Sequence, residues 1–140
     1  MARDLLWEKA QEDFKAFYPG KRNYIFEFHD ARQVMGALKS TRVFTASHPA
    51  DFIVTSNGET FYAEVKSCSN ETSFPFSMIK RSQWIAATMQ LAAGGLYFFF
   101  IKSEVLGTWF KVPAKVLLDI ESRKSITWKD LAPYVHRTTH

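Results

Sequence analysis

A carboxylate and an ammonium group stand two residues apart in a segment that otherwise resembles a buried strand. Strict alternation over residues 60–68 separates two faces. The apolar face carries Phe61, Ala63 and Val65, and the polar face carries Tyr62, Glu64 and Lys66. Burying a charged side chain without compensation is costly, so the polar face requires an explanation. Chemistry that uses Glu64 and Lys66 together is one such explanation.

A second carboxylate is predicted to face the first across a hairpin. Asn57-Gly58 separates two strand-like runs, and both residues tolerate the positive φ of a type I′ turn. If these two residues are the whole turn, the numbers of facing residues add up to 115, and Asp51 faces Glu64. A turn one residue longer or shorter would place Asp51 elsewhere.

Two facing carboxylates with a lysine beside them can be stabilised by a raised carboxyl pKa or by a bound cation. Magnesium suits such a site, because it is typically held by one or two carboxylates together with waters and substrate phosphate oxygens. The alternative is a surface pair in which Lys66 neutralises Glu64 while Asp51 only ends a loop. The spacing alone leaves both interpretations open.

Helical spacing, strand alternation and turn residues predict the elements that position these side chains. They are an amphipathic helix at 3–18, a strand at 23–29, two hairpin strands around Asn57-Gly58, a loop at 73–77, a helix at 78–95, a central strand at 96–102, a strand at 108–112, a helix at 113–122 and a short helix at 127–135. Residues 30–40 are either a helical turn or a loop. This order predicts an α/β fold with a central mixed sheet flanked by helices.

The composition restricts the class of protein. A chain of 140 residues with 46% hydrophobic residues predicts one domain over 1–140. The sequence contains neither a long apolar run nor a signal-peptide pattern, so we expect a cytoplasmic protein with no membrane partner. A single cysteine, Cys68, excludes an internal disulfide. The net charge of +4 is a modest indication of a polyanionic partner.

The motif Pro49-Ala50-Asp51 followed by Glu64-Val65-Lys66 resembles the signature of the PD-(D/E)XK nuclease superfamily. Within it, AEVKSCSNETSFPF and the following helix with Gln83 resemble Holliday junction resolvases of the RecU and archaeal Hjc types, many of them encoded by phages. The resemblance implies the restriction-endonuclease-like fold.

The resemblance also implies roles for individual residues. Asp51, Glu64 and the backbone carbonyl of Val65 would bind Mg²⁺ or Mn²⁺, and Lys66 would position or help to deprotonate the attacking water. An acid of the N-terminal helix would complete the catalytic set. Glu8 is the choice, with Glu12 as the alternative and a solvated helical glutamate as the ordinary explanation of either.

Other residues are candidates for DNA binding or for support of the site. Each also has an ordinary explanation, such as an exposed helix glutamine, a helix cap or a basic surface residue. They are Gln83, Ser73, Lys80, Arg81, Arg42, Arg32 and His48.

The resemblance implies a metal-dependent, structure-selective DNA endonuclease. It would make paired nicks in four-way junctions during recombination and repair, and two symmetric nicks favour a homodimer. No small-molecule cofactor is predicted. The alternatives are another nuclease of this fold that cuts linear duplex or flaps, and a non-catalytic nucleic-acid-binding domain.

Overall fold

The computed structural model describes residues 3–28 and 48–137, with side chains from residue 5 onward. Its α-helices and strands are α1 (Arg3–Lys15), β1 (Asn23–Glu27), β2 (Phe52–Ser56), β3 (Glu59–Cys68), β4 (Ser73–Pro75), α2 (Arg81–Ala92), β5 (Leu96–Ser103), β6 (Thr108–Pro113), α3 (Ala114–Leu118) and β7 (Ser125–Thr127). Short 3₁₀ helices span Phe76–Met78 and Ala132–Tyr134. Within the described ranges no helix has the length and apolarity to cross a bilayer.

Five strands form the main sheet in the order β1-β2-β3-β5-β6, and β4 pairs with β7 in a second, two-stranded sheet. In the main sheet β3 and β5 are parallel, while the other neighbours are antiparallel. The parallel step requires a crossover, which α2 supplies. The predicted mixed sheet with flanking helices is therefore confirmed.

The β2–β3 hairpin has the predicted two-residue turn. Asn57 and Gly58 adopt φ values of 53° and 79°, as a type I′ turn requires. Ser56 pairs with Glu59, and the register continues without a bulge to Phe52 and Ala63. Asp51 immediately precedes the last paired residue, so it lies beside Glu64 at the end of the hairpin.

Strand β3 separates two hydrophobic cores. On one face, the fully buried Ala10 and Phe14 of α1 pack with the apolar side of the sheet, including Phe61, Ala63 and Val65. On the other face, α2 and α3 cover β5 residues such as Phe99. Alternation places Glu64 and Lys66 on this second face, and both are buried there. The two charged residues are thus enclosed by the fold rather than displayed on its surface.

Several predicted boundaries and elements differ from the structure. Residues 73–77, predicted as a loop, form β4 and the start of a 3₁₀ helix because Phe74 pairs with Ile126 of β7. Residues 127–135, predicted as a helix, form a turn and a 3₁₀ helix, since Pro133 removes a backbone donor from the helical pattern. Helix α2 starts at Arg81 instead of residue 78.

The predicted strand is present as β1, and its aromatic residues lie on its exposed face. Ile25 and Glu27 face the sheet side shared with α1, and Lys15 pairs with Glu27 at 2.7 Å. Tyr24 and Phe26 are 63% and 46% exposed. The open prediction for residues 30–40 lies outside the described residues.

Candidate active site

Hydrogen bonds hold the Asp51 carboxylate and the backbone carbonyls of Asp51 and Pro49 in place. The Val65 N–H donates to Asp51 Oδ2 at 2.9 Å, and the Phe28 N–H donates to the Asp51 carbonyl at 2.8 Å. The Tyr97 hydroxyl donates to the Pro49 carbonyl at 2.6 Å. The Pro49–Asp51 segment is therefore held by the residue after β1, by β3 and by β5, although Asp51 lies just outside a strand.

Gln83 of α2 connects the buried charges of β3. Its Nε2 donates to Glu64 Oε1 at 3.1 Å, while its Oε1 accepts from Lys66 Nζ at 3.0 Å. The same oxygen accepts from the Lys80 N–H at 2.9 Å, which caps the start of α2. Lys66 Nζ lies 3.9 Å from Glu64 Oε1. The glutamine amide thus binds a carboxylate and an ammonium at once and attaches both to the helix.

Burial determines the electrostatics of this network. Desolvation, and then the charge of Asp51, raise the pKa of Glu64 well above its usual range, while Lys66 and Lys80 act in the opposite direction. Desolvation also lowers the pKa of Lys66, against the attraction of Glu64 and Asp51. The positive charge of Lys66 alone therefore does not compensate for the burial of Glu64 and its repulsion by Asp51.

The donor set fits a hard divalent cation. Asp51 and Glu64 supply carboxylate oxygens, which Mg²⁺ and Mn²⁺ prefer, and a cation between them would relieve the repulsion that raises the Glu64 pKa. In the described part of the chain, no three residues among His, Cys, Asp and Glu come together as a metal-binding group. The acidic side chains that this part of the chain brings together at the site are therefore Asp51 and Glu64.

One acid of the N-terminal helix, Glu12, lies on the side of α1 that faces β1. Glu12 pairs with Lys15 at 3.0 Å, and Lys15 pairs in turn with Glu27, which is opposite Phe52 in the sheet. Glu8, exposed and one turn earlier, lies on the same side of α1 as Glu12. The role assigned to either acid stays a prediction.

The other predicted residues have varied positions. His48 is exposed, and its ring stacks on Phe28 at 5.4 Å. Ser73 opens β4, and its N–H donates to Asn70 Oδ1, so it does not cap α2. Lys80 and Arg81 are exposed at the start of α2. Arg32 and Arg42 lie outside the described residues.

Sequence patterns did not reveal two residues that support the site. Tyr97 resembles one more core residue in the run LYFFFIK, and only its hydroxyl distinguishes it from the phenylalanines that follow. Phe28 acts through its backbone N–H, which no side-chain pattern reports. Both attach the Pro49–Asp51 segment to neighbouring strands.

Comparisons with known proteins agree with this architecture. Sixteen chains of solved structures match the fold. One is Hjc from Archaeoglobus fulgidus, a Holliday junction resolvase from an archaeal hyperthermophile, with a TM-score of 0.53 and 16% sequence identity over 95% of this chain and 89% of that one. No curated protein matches the chain in sequence.

The family is established by a sequence model. The model of RecU, recombination protein U, matches residues 24–139, a span that contains Asp51, Glu64, Lys66 and Gln83 and excludes α1. The predicted resemblance is therefore confirmed over most of the chain. The chain belongs to the RecU family.

Proposed function

We propose that this RecU-family chain is a Holliday junction resolvase, a structure-selective endonuclease that hydrolyses phosphodiester bonds in four-way DNA junctions. One observation carries the proposal, namely the buried network in which Gln83 links Glu64 to Lys66 beside Asp51. Family membership and the Hjc-like fold support it. We propose that residues 1–140 act as one nuclease domain inside the cell, where junction DNA is found.

Asp51 and Glu64 would hold Mg²⁺ or Mn²⁺, with the Val65 carbonyl as a further ligand and Glu8 or Glu12 completing the site. Such a cation, when bound, lowers the pKa of a coordinated water and stabilises negative charge on the phosphate. The buried Lys66 would orient the attacking water and offset charge at the scissile phosphate, because its lowered pKa makes its proton easier to release. Gln83 would hold the Lys66 ammonium and the Glu64 carboxylate at a fixed distance from each other.

Two symmetric nicks require two active sites, so we propose that the chain acts as a homodimer with twofold symmetry. Lys80 and Arg81 stand exposed at the start of α2, next to the network through the Lys80 N–H. In this position they would contact the phosphates of the bound strand. A dimer would present two copies of Lys80 and Arg81 to the opposed arms of a junction.

The proposal is tested with purified protein, Mg²⁺ and three labelled DNAs, namely a four-way junction, a linear duplex and a flap. We expect paired, symmetric nicks in the junction and little cutting of the other two. Lys66→Ala should bind the junction without cleaving it, and Lys115→Ala, on an exposed lysine of α3, serves as the matched control.

Each alternative has its own outcome in this assay. Equal cutting of the linear duplex or of the flap would favour another nuclease of this fold. Junction binding without cleavage in either Mg²⁺ or Mn²⁺ would indicate a non-catalytic DNA-binding domain and overturn the proposal.

A further inference from the structure

A partly exposed group of aromatic side chains lies beside the candidate active site on the same face of the sheet. We define this aromatic platform as Tyr24, Phe26, Phe28 and Tyr62. The ring centroids of Phe26 and Phe28 are 5.3 Å apart, and those of Phe28 and Tyr62 are 6.3 Å apart. Tyr24 and Phe26 are the most exposed, in contrast to Phe52 and Phe61, which the α1 side buries almost completely.

The strand register connects the platform to the catalytic residues. Phe26, Ile53 and Tyr62 are paired across β1, β2 and β3. The next row on this face contains Asp51 and Glu64, and Phe28 binds Asp51 through its N–H. Successive rows on one face are two residues apart, or about 6.7 Å. The platform is therefore within one nucleotide's reach of a phosphate held at the carboxylates.

The charge distribution suits a nucleic acid. Glu64 is the one carboxylate that the described residues of β1, β2 and β3 place on this face, next to Asp51 at the start of β2, because Glu27 and Glu59 alternate onto the opposite face. Lys21 and Arg22, both exposed, immediately precede β1. Beyond the metal-binding pair, the described platform thus offers rings for stacking and nearby cations for phosphates, without acids that would repel the strand.

We infer that the aromatic platform stacks bases that are unstacked at the junction centre, next to the scissile phosphate. The inference rests on the proposed function and adds a binding subsite to it. Aromatic side chains bind bases of any sequence in this way, since every base has a π-face. The platform would favour junctions over linear duplexes, because the bases of an intact duplex are already stacked on each other.

The test compares two double variants. Tyr24→Ala with Phe26→Ala removes the exposed part of the platform, and Val105→Ala with Leu106→Ala removes apolar residues of similar exposure from the β5–β6 turn. Junctions carrying 2-aminopurine beside the nick position report stacking as a loss of fluorescence. Binding is measured in Ca²⁺, and the KM for junction cleavage is measured in Mg²⁺.

We expect wild type and the turn variant to quench the fluorescence alike. The platform variant should lose the quenching and bind the junction about tenfold more weakly, or worse, with a matching rise in KM. Tyr24→Phe should retain the quenching, because it keeps the ring. The single variant Tyr24→Ala, at the more exposed position, provides the comparison if the double variant folds poorly.

Two results would overturn the inference. One is a platform variant with unchanged quenching, Kd and KM. The other is a platform variant that is monomeric in light scattering where wild type is dimeric, since the face would then be a contact between two copies of the chain. Absence of cleavage by wild type would count against the proposed function instead, while quenching and Kd would still test the platform.

Discussion

Lys66 and Lys111 are both strand lysines whose pKa is lowered by burial, yet their surroundings differ. Lys66 Nζ lies among Gln83 and Glu64 oxygens, at 3.0 Å and 3.9 Å. Lys111 Nζ instead lies over three rings, 4.5 Å from the centroid of Phe98, 4.9 Å from that of Phe61 and 6.0 Å from that of Phe100. Burial alone does not distinguish a lysine held among carboxylate and amide oxygens from one held by cation–π contacts. The difference lies in the carboxylates and the glutamine that accompany Lys66.

The two lysines also lie on opposite faces of the sheet. Lys66 points toward α2 beside the Asp51–Glu64 carboxylate pair, whereas Lys111 contacts the aromatic core on the α1 side. Aromatic rings stabilise an ammonium through their quadrupole, but they neither accept a proton nor hold a metal. Lys66 and Lys111 are thus alike in their burial but differ in the groups that contact their ammonium groups.

The largest effect is expected when each lysine is replaced by methionine. Lys66→Met should reduce junction cleavage by about 100-fold or more, the usual magnitude for losing a proton-transfer group. Lys111→Met should retain cleavage within about twofold of wild type, because no carboxylate of the site contacts it. The measurement is single-turnover cleavage of a labelled junction. Equal losses in the two variants would contradict the distinction drawn between these lysines.

Removing the amide that links the charges should have the next largest effect. Gln83→Ala leaves Glu64 and Lys66 buried without their common partner, so we expect cleavage to fall about 10- to 100-fold, as for other residues that orient metal ligands. Gln90→Ala is the matched control on the same helix, since the Gln90 side-chain amide donates to the Leu96 carbonyl, at 3.4 Å, away from the buried charges. Similar rates for the two variants would argue that Gln83 does not position the site.

Metal binding should be visible as stabilisation without any DNA. At a free Mg²⁺ concentration about 100 times Kd, the folded state gains about 2.7 kcal/mol, so the melting temperature of wild type should rise by several degrees. Asp51→Asn should abolish this rise, and Lys111→Met should keep it. A full Mg²⁺ response in Asp51→Asn would show that the ion binds elsewhere.

The smallest effect concerns the pH dependence that Lys111 adds to stability. Its folded-state pKa lies below 10.5, so between the two values the unfolded chain binds more protons at this residue, and its contribution to stability rises with pH. Relative to Lys111→Met, wild type should therefore gain stability from neutral pH toward pH 10.5. Urea midpoints of both proteins measure this difference, and parallel pH curves would contradict it.

The sequence predicted the hairpin and the Asp51–Glu64 pairing well because both are local. An Asn-Gly turn restricts the register of two strands, and the register then places every side chain by simple alternation. Residues 96–102 were also predicted correctly as a central strand, since their continuous apolar run requires cover on both faces.

Contacts between distant segments were harder to predict. The pairing of β4 with β7 joins Phe74 to Ile126, and neither short segment shows enough alternation to reveal it. In β1, the alternation predicted a strand but did not show which face is covered, since Tyr24 and Phe26 are exposed and Ile25 occupies the covered face. The support from Tyr97 depends on a hydroxyl whose partner is 48 residues away in the chain.

The mixed pairing of β3 has a consequence for the order of folding. The β2–β3 hairpin joins residues 14 positions apart, whereas the Gln83–Glu64 and Tyr97–Pro49 bonds span 19 and 48 positions. Hairpins close in about 1–10 μs, while long-range and parallel pairings form more slowly. We therefore expect the two carboxylates to meet before Gln83 of α2 and Tyr97 of β5 reach this part of the chain. We predict that their repulsion contributes to the folding barrier, so a cation that binds the hairpin should accelerate folding as well as stabilise the product.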